Sequence, residues 1–103
     1  MNGLAKLSPE LGDFLLEFVY GSVWSRSYTE SPTIDVKTRA LVTISCLAST
    51  SMMPQLKSHI GGALKVGVKK EEIIESLVHL SVYAGFPKAI NALKVAQEVF
   101  KDF

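Results

Sequence analysis

Residues 35–48 read Asp35-Val36-Lys37-Thr38-Arg39-Ala40-Leu41-Val42-Thr43-Ile44-Ser45-Cys46-Leu47-Ala48. From Leu41 to Ala48 the run is apolar nearly all round, broken only by the small hydroxyls of Thr43 and Ser45. So short an apolar run fits a buried strand or a central helix. Asp35 is a good N-cap, able to accept from the unpaired amides of a first turn, and Lys37 and Leu41 stand as i, i+4 neighbours; both favour helix. A helix without a polar face belongs at the centre of a fold or in an interface between chains.

Helical signals surround this segment. Residues 8–24 predict an amphipathic helix, with Ser8 as N-cap, Pro9 at the first helical position and Glu10 at the positive end of the dipole. Leu11, Phe14, Leu15, Phe18 and Val19 follow the spacing of one buried stripe. Ser25 to Thr33 carries Ser, Thr and Pro without a period and predicts a loop. After Ser49-Thr50-Ser51, Pro54 opens a third helix with Leu56, Ile60, Ala63 and Leu64 inward and Gly67 as its C-cap. The Gly61-Gly62 pair costs about 1 kcal/mol per glycine relative to alanine, and such a pair suggests close approach by another backbone. A fourth helix is expected from about Lys70 to Ala84, with Ile73, Ile74, Leu77, Val78 and Ser81 inward and no good capping side chain near Val68 or Lys69. Gly85-Phe86-Pro87 turns the chain into a fifth helix, with Ala89, Ile90, Leu93, Ala96, Val99 and Phe100 inward. The expected fold is an all-α, small helical bundle of five main helices, a single domain over residues 1–103.

Composition narrows the function. A chain of 103 residues with 48% apolar side chains and mean hydropathy +0.25 carries much apolar surface for its size. Coverage by other copies of the chain is the expectation, hence a homo-oligomer. The net charge of +1, from 11 basic and 10 acidic residues, calls for neither nucleic acid nor an anionic membrane. Cys46 is a lone cysteine, so no internal disulfide is possible. No apolar run approaches a membrane span, and Asp13 and Glu17 interrupt the only early apolar stretch, so no signal peptide is expected and the cytoplasm is the expected compartment.

Few residues are suited to chemistry. His59 lies three after Leu56 and four before Ala63, on the apolar stripe of its helix. It reads either as a core histidine bonded to a carbonyl or as a general acid or base. Arg39 suits bidentate capture of a carboxylate or a structural ion pair. Trp24 and Arg26, at the edge of a loop, suit a pocket lining or a loop anchor. His79 falls off the inner stripe and is expected at the surface or an interface. Cys46 is expected to act as a small hydrophobe. No metal site is expected, since neither histidine has acidic or cysteine ligands at metal-site spacing.

Several of these segments, taken in order, resemble the carboxymuconolactone decarboxylase family. They are Asp35 through Ile44; His59 followed by Gly62-Ala63-Leu64 and Gly67-Val68; Glu71-Glu72-Ile73; and Val82-Tyr83-Ala84-Gly85-Phe86-Pro87 with Ala89, Asn91 and Ala92. The likeness runs over roughly residues 18–100. It implies an all-α fold of the alkylhydroperoxidase D type, whose subunits assemble into homo-oligomeric rings, trimers or hexamers. The alkylhydroperoxidase D branch needs a Cys-x-x-Cys pair ahead of the histidine. Met52 and Gln55 occupy those positions, and Ala40 replaces an upstream glutamate. That disfavours an antioxidant, peroxiredoxin-type role.

The 4-carboxymuconolactone decarboxylase branch lacks the pair and is more similar, through Gly21-Ser22-Val23-Trp24-Ser25-Arg26, Thr38-Arg39, Leu56-Lys57 and His59. That resemblance implies a cofactor-free lyase acting on a small cyclic carboxylate or lactone. His59 and Arg39 would be catalytic, and Trp24, Arg26, Gln55 and Tyr83 would bind substrate. The branch tends to carry an arginine and a glutamate where this chain has Met52 and Gln55. A non-catalytic ligand-binding or assembly member is therefore the alternative.

Overall fold

The structure, a computed structural model, describes residues 2–103; helices are its only regular elements, with no strand among those residues. Two compact units are present, one ending at Val36 and the other spanning Lys37–Phe103.

In the first unit, a short helix α1 (Asn2–Leu7), absent from the sequence expectation, precedes α2 (Pro9–Phe14). Ser8 caps α2 as expected, its Oγ accepting from the Leu11 amide at 3.2 Å. Gly12 fits close to α1, because a Cβ there would meet Ala5 at 3.1 Å. The expected straight α-helix to residue 24 does not hold. The chain continues from Phe14 as a π-helix over Leu15–Val23 and then as a 3₁₀ turn over Trp24–Tyr28. Gly21 accommodates the wider winding, for a Cβ there would stand 3.2 Å from the Leu16 carbonyl oxygen. With i→i+5 bonding each turn holds more than four residues, so a stripe spaced for an α-helix no longer stays on one face. Phe18 is exposed, as are Leu11 and Phe14 ahead of the π-helix, while Leu15, Val19 and Val23 are half-buried. Trp24–Tyr28, expected as loop apart from Trp24, is wound into that last turn.

The second unit is built from two helical hairpins. α3 (Val36–Ser49) is a helix, as expected over a strand, and Asp35 immediately precedes it. It is not buried all round: Ala40, Ile44 and Ala48 form the buried strip, while Val42 and Cys46 are exposed. Its hydroxyls turn inward, Thr43 Oγ1 to the Arg39 carbonyl and Ser45 Oγ to the Leu41 carbonyl, both at 2.9 Å. α3 ends in a Schellman motif: Ser51 sits at φ +60°, its amide reaches the Ala48 carbonyl, and the Met52 amide reaches Leu47.

α4 (Met53–Lys65) begins one residue before the expected Pro54 and buries Leu56, Ile60 and Ala63. It ends in a second Schellman motif on Gly67, at φ +98°, with Gly67 bonded to the Leu64 carbonyl and Val68 to Ala63. Lys37, at the start of α3, lies against Gly67, just past the end of α4. With residues 50–52 joining the helices, α3 and α4 run antiparallel.

α5 (Lys70–Ala84) matches its expected span. Its N-terminus is capped by one arm only, the Glu72 carboxylate accepting from the Lys69 amide at 2.9 Å, since a lysine ammonium has no lone pair to offer. The buried stripe is Ile73, Leu77 and Leu80. Ile74 and Val78, expected inward, stay exposed, and Ser81 is half-buried. Gly85, at φ +102°, reverses the chain into α6 (Phe86–Phe100). The Lys70 ammonium stands 5.6 Å from the Phe100 ring centre, fixing α5 and α6 as antiparallel. α6 packs along both α4 and α5 through Ala89, Ala92, Ala96 and Val99. Alanines along that stripe let three helices approach closely. Ile90, expected inward, is exposed, and Leu93 and Phe100 are half-buried.

Candidate functional site

The α4 hairpin positions the candidate site. The Ser51 turn and Pro54 set where the helix starts, and the buried Leu56–Ile60–Ala63 stripe fixes which way it faces. His59 is then held at the border of that stripe, half-buried. Burial pulls its imidazole below the ordinary value of 6.5, because the charged form loses solvation. The ring is therefore biased toward the neutral state near pH 7.

Positions three and four apart are neighbours on a helix. Met52, Gln55, His59, Gly62 and Val66 thus form one stripe along α4, adjoining the buried one. Met52 and Gln55 are exposed, and so is Val66. Gln55, one turn ahead of His59, offers an amide within the same strip of surface. Gly62, one turn after it, adds no side chain at all.

Arg39 is half-buried on α3, with its carbonyl engaged by Thr43. Lys37, two residues before Arg39, has the end of its side chain beside Gly67, just past the end of α4. Trp24, half-buried, and Arg26, exposed, belong to the other unit, at the 3₁₀ turn. Tyr83 is 80% exposed on α5, its ring 5.4 Å from that of His79. The His79–Tyr83 pair was legible as an i, i+4 spacing but was not singled out from sequence. Cys46 is exposed on α3. Among the described residues no three His, Cys, Asp or Glu side chains gather as a metal site would require.

The profile of the carboxymuconolactone decarboxylase family matches residues 9–98, running through both units. The chain belongs to that family. It is 35% identical over 102 residues to 4-carboxymuconolactone decarboxylase of Acinetobacter baylyi, covering 99% of this chain and 72% of that protein. Nitrosuccinic acid decarboxylase of Metarhizium robertsii is 33% identical over 90 residues, 87% of this chain and 59% of the relative. An uncharacterized 15.0 kDa protein of Paracoccus denitrificans is 32% identical over 104 residues, 99% of this chain and 74% of that protein. Among the described residues of this family member, no helix is long and apolar enough to cross a membrane.

Proposed function

We propose that this member of the family is a cofactor-free decarboxylase of a small cyclic carboxylate or lactone, with His59 as its proton donor. The observation that carries the proposal is His59 itself: a half-buried imidazole held beside Gln55 on a helix face, in a chain similar along 99% of its length to a decarboxylase.

Loss of carbon dioxide requires somewhere for the bonding electron pair to go. The acids named for two relatives each carry their own sink, a lactone in one and a nitro group in the other. For a lactone conjugated to the departing carboxylate, the carbon–carbon bond breaks, carbon dioxide leaves and the pair delocalises onto the lactone carbonyl. A proton must then reach carbon. The neutral His59 of the free protein takes up a proton as anionic substrate arrives, since a nearby negative charge raises an imidazole pKa. The imidazolium then transfers that proton to carbon, a step worth about 10²–10⁴-fold. Arg39 holds a carboxylate that remains on the substrate, and Gln55 supplies a neutral hydrogen-bonding group. Trp24, Arg26 and Tyr83 keep the substrate-binding roles that the family resemblance implies.

The chain is further proposed to act as a homo-oligomer, a trimer or hexamer, in the cytoplasm. Exposed Val82 (76%), Phe86 (71%) and Tyr83 support that assembly, because contiguous apolar surface favours association. The alternative, a non-catalytic ligand-binding or assembly member, is favoured by Met52 and Gln55 standing in place of a cation and an acid. Purified protein incubated with 4-carboxymuconolactone, and separately with nitrosuccinic acid, decides between them. Catalytic carbon dioxide release from either, undiminished by EDTA and dialysis, is expected. Binding of both acids without release would leave the non-catalytic alternative in place.

A further inference from the structure

We infer that the open face of the α5–α6 hairpin is where two copies of this chain meet, about a two-fold axis that lays α5 of one copy over α6 of the other. The inference rests on the homo-oligomer proposed above and adds the surface and its orientation.

Beside its buried stripe, each helix of the hairpin carries a second apolar row. On α5 the row is Ile74, Val78 and Val82, spaced by four; on α6 it is Phe86 and Ile90, also four apart, continued by Leu93. Leu93 is half-buried and the other five are exposed. The rows lie side by side, because Ile74 of α5 and Ile90, Leu93 and Phe100 of α6 line one groove of about 430 Å³ between the helices. A monomer seldom leaves in water a contiguous apolar strip that runs for about two turns along two neighbouring helices.

Charge selects the occupant and its orientation. Glu75 stands beyond the α5 row, on the side away from the buried Ile73–Leu77–Leu80 stripe, and Lys94 stands beyond the α6 row, at the rim of the groove. The face is therefore acidic along one long edge and basic along the other. Neither residue is ion-paired within the chain among the described residues. Two copies of this face can meet about a two-fold axis in two ways. An axis across the helices sets α5 on α5, acidic edge against acidic edge. An axis along the helices sets α5 on the α6 of the other copy, acidic edge against basic edge. Opposed like charges disfavour the first and complementary charges favour the second. The levels agree. Lys70 stands level with Phe100; five residues on along α5 is Glu75, and five back along α6 is position 95, next to Lys94. Glu75 of each copy thus comes level with Lys94 of the other, twice by symmetry. Such a self-complementary contact needs an even-numbered assembly, so of the proposed trimer and hexamer it selects the hexamer.

Analytical ultracentrifugation of the purified protein and its charge-swapped variants tests face and orientation together. The parent should sediment as a hexamer. Ile90→Lys, at a position exposed in the single copy, should sediment as a trimer at micromolar concentration with its helicity kept. Glu75→Lys and Lys94→Glu, both surface changes, should each raise the hexamer-to-trimer dissociation constant by about tenfold or more, because each sets like charges opposite one another. Mixing these two variants in equal amounts should bring the constant back to within about threefold of the parent, since each then meets its complement. Single swaps that assemble as the parent does, or a mixture no better than its components, overturn the inference. A hexamer left intact by Ile90→Lys, which would give the face to another occupant, or a parent that is a trimer, overturns it while the homo-oligomer stands. A parent that is monomeric at that concentration takes the homo-oligomer down as well.

Discussion

Glycine-to-alanine changes along α4 should split by sign. At Gly61 and Gly62 the new methyl group enters open space and the residues lie inside the helix, so each change should stabilise by about 1 kcal/mol. At Gly67 the backbone sits at φ +98° and a Cβ would stand 3.0 Å from Cε of Lys37. The lysine tail can move aside, but the left-handed backbone cannot be relieved without breaking the Schellman bonds, so Gly67→Ala should destabilise by about 1–2 kcal/mol. The turn at the other end of the hairpin gives the mirror test. Ser51 holds φ +60° with a side chain in place, and Ser51→Gly should stabilise by up to about 1 kcal/mol. For a chain of this length, about 1 kcal/mol moves Tm by roughly 4–5 °C. Gly61→Ala/Gly62→Ala should therefore melt roughly 9 °C above the parent, and Gly67→Ala about 4–9 °C below it. Thermal denaturation followed by far-ultraviolet circular dichroism, at one fixed protein concentration, reads all four. Destabilisation by alanine at Gly61 or Gly62 would refute the reasoning and mean that a neighbouring copy fills that space.

Leu77 is fully buried on α5, so Leu77→Ala should lose about 2–5 kcal/mol in urea denaturation; a loss under about 1 kcal/mol would mean the α5–α6 core is not close-packed. The folded-state pKa of His59 lies below its unfolded value of 6.5, so its contribution to stability is present above pH 6.5 and lost as pH falls through the lower, folded value. Tm should thus drop more steeply on acidification in the parent than in His59→Gln, and identical pH profiles would contradict the burial of the ring. Peroxide reduction should be negligible and unaltered by Cys46→Ser, because thiol chemistry of that kind needs a second cysteine; turnover that vanishes with Cys46 would reverse this.

The sequence made the second unit legible because its punctuation is strong. Pro54 and Gly67 bracket α4, Gly85 ends α5 and Pro87 opens α6, each to within a residue or two of the observed end. The inward face of α5 was less legible. Ile73, Ile74, Leu77, Val78 and Leu80 span about 160° of the helix circumference, so periodicity alone does not choose among them, and packing against α6 selects Ile73, Leu77 and Leu80. The π-winding of Leu15–Val23 was invisible to a pattern that assumes 3.6 residues per turn, although Gly21 marks where it is accommodated. In the candidate site, the shared face of Gln55 and His59 follows from their spacing. The distance of Arg39 from His59 does not, because the two residues stand on different helices.

The central claim is that His59 delivers the proton that completes decarboxylation. The most direct measurement is kcat for 4-carboxymuconolactone with the parent and His59→Gln, each verified for helicity and for sedimentation. Glutamine keeps a polar group of similar reach but cannot transfer a proton, so kcat should fall about 10²–10⁴-fold with assembly unchanged. A His59→Gln protein that retains kcat within about tenfold of the parent would contradict the account, because general acid catalysis by that residue could not then carry the reaction.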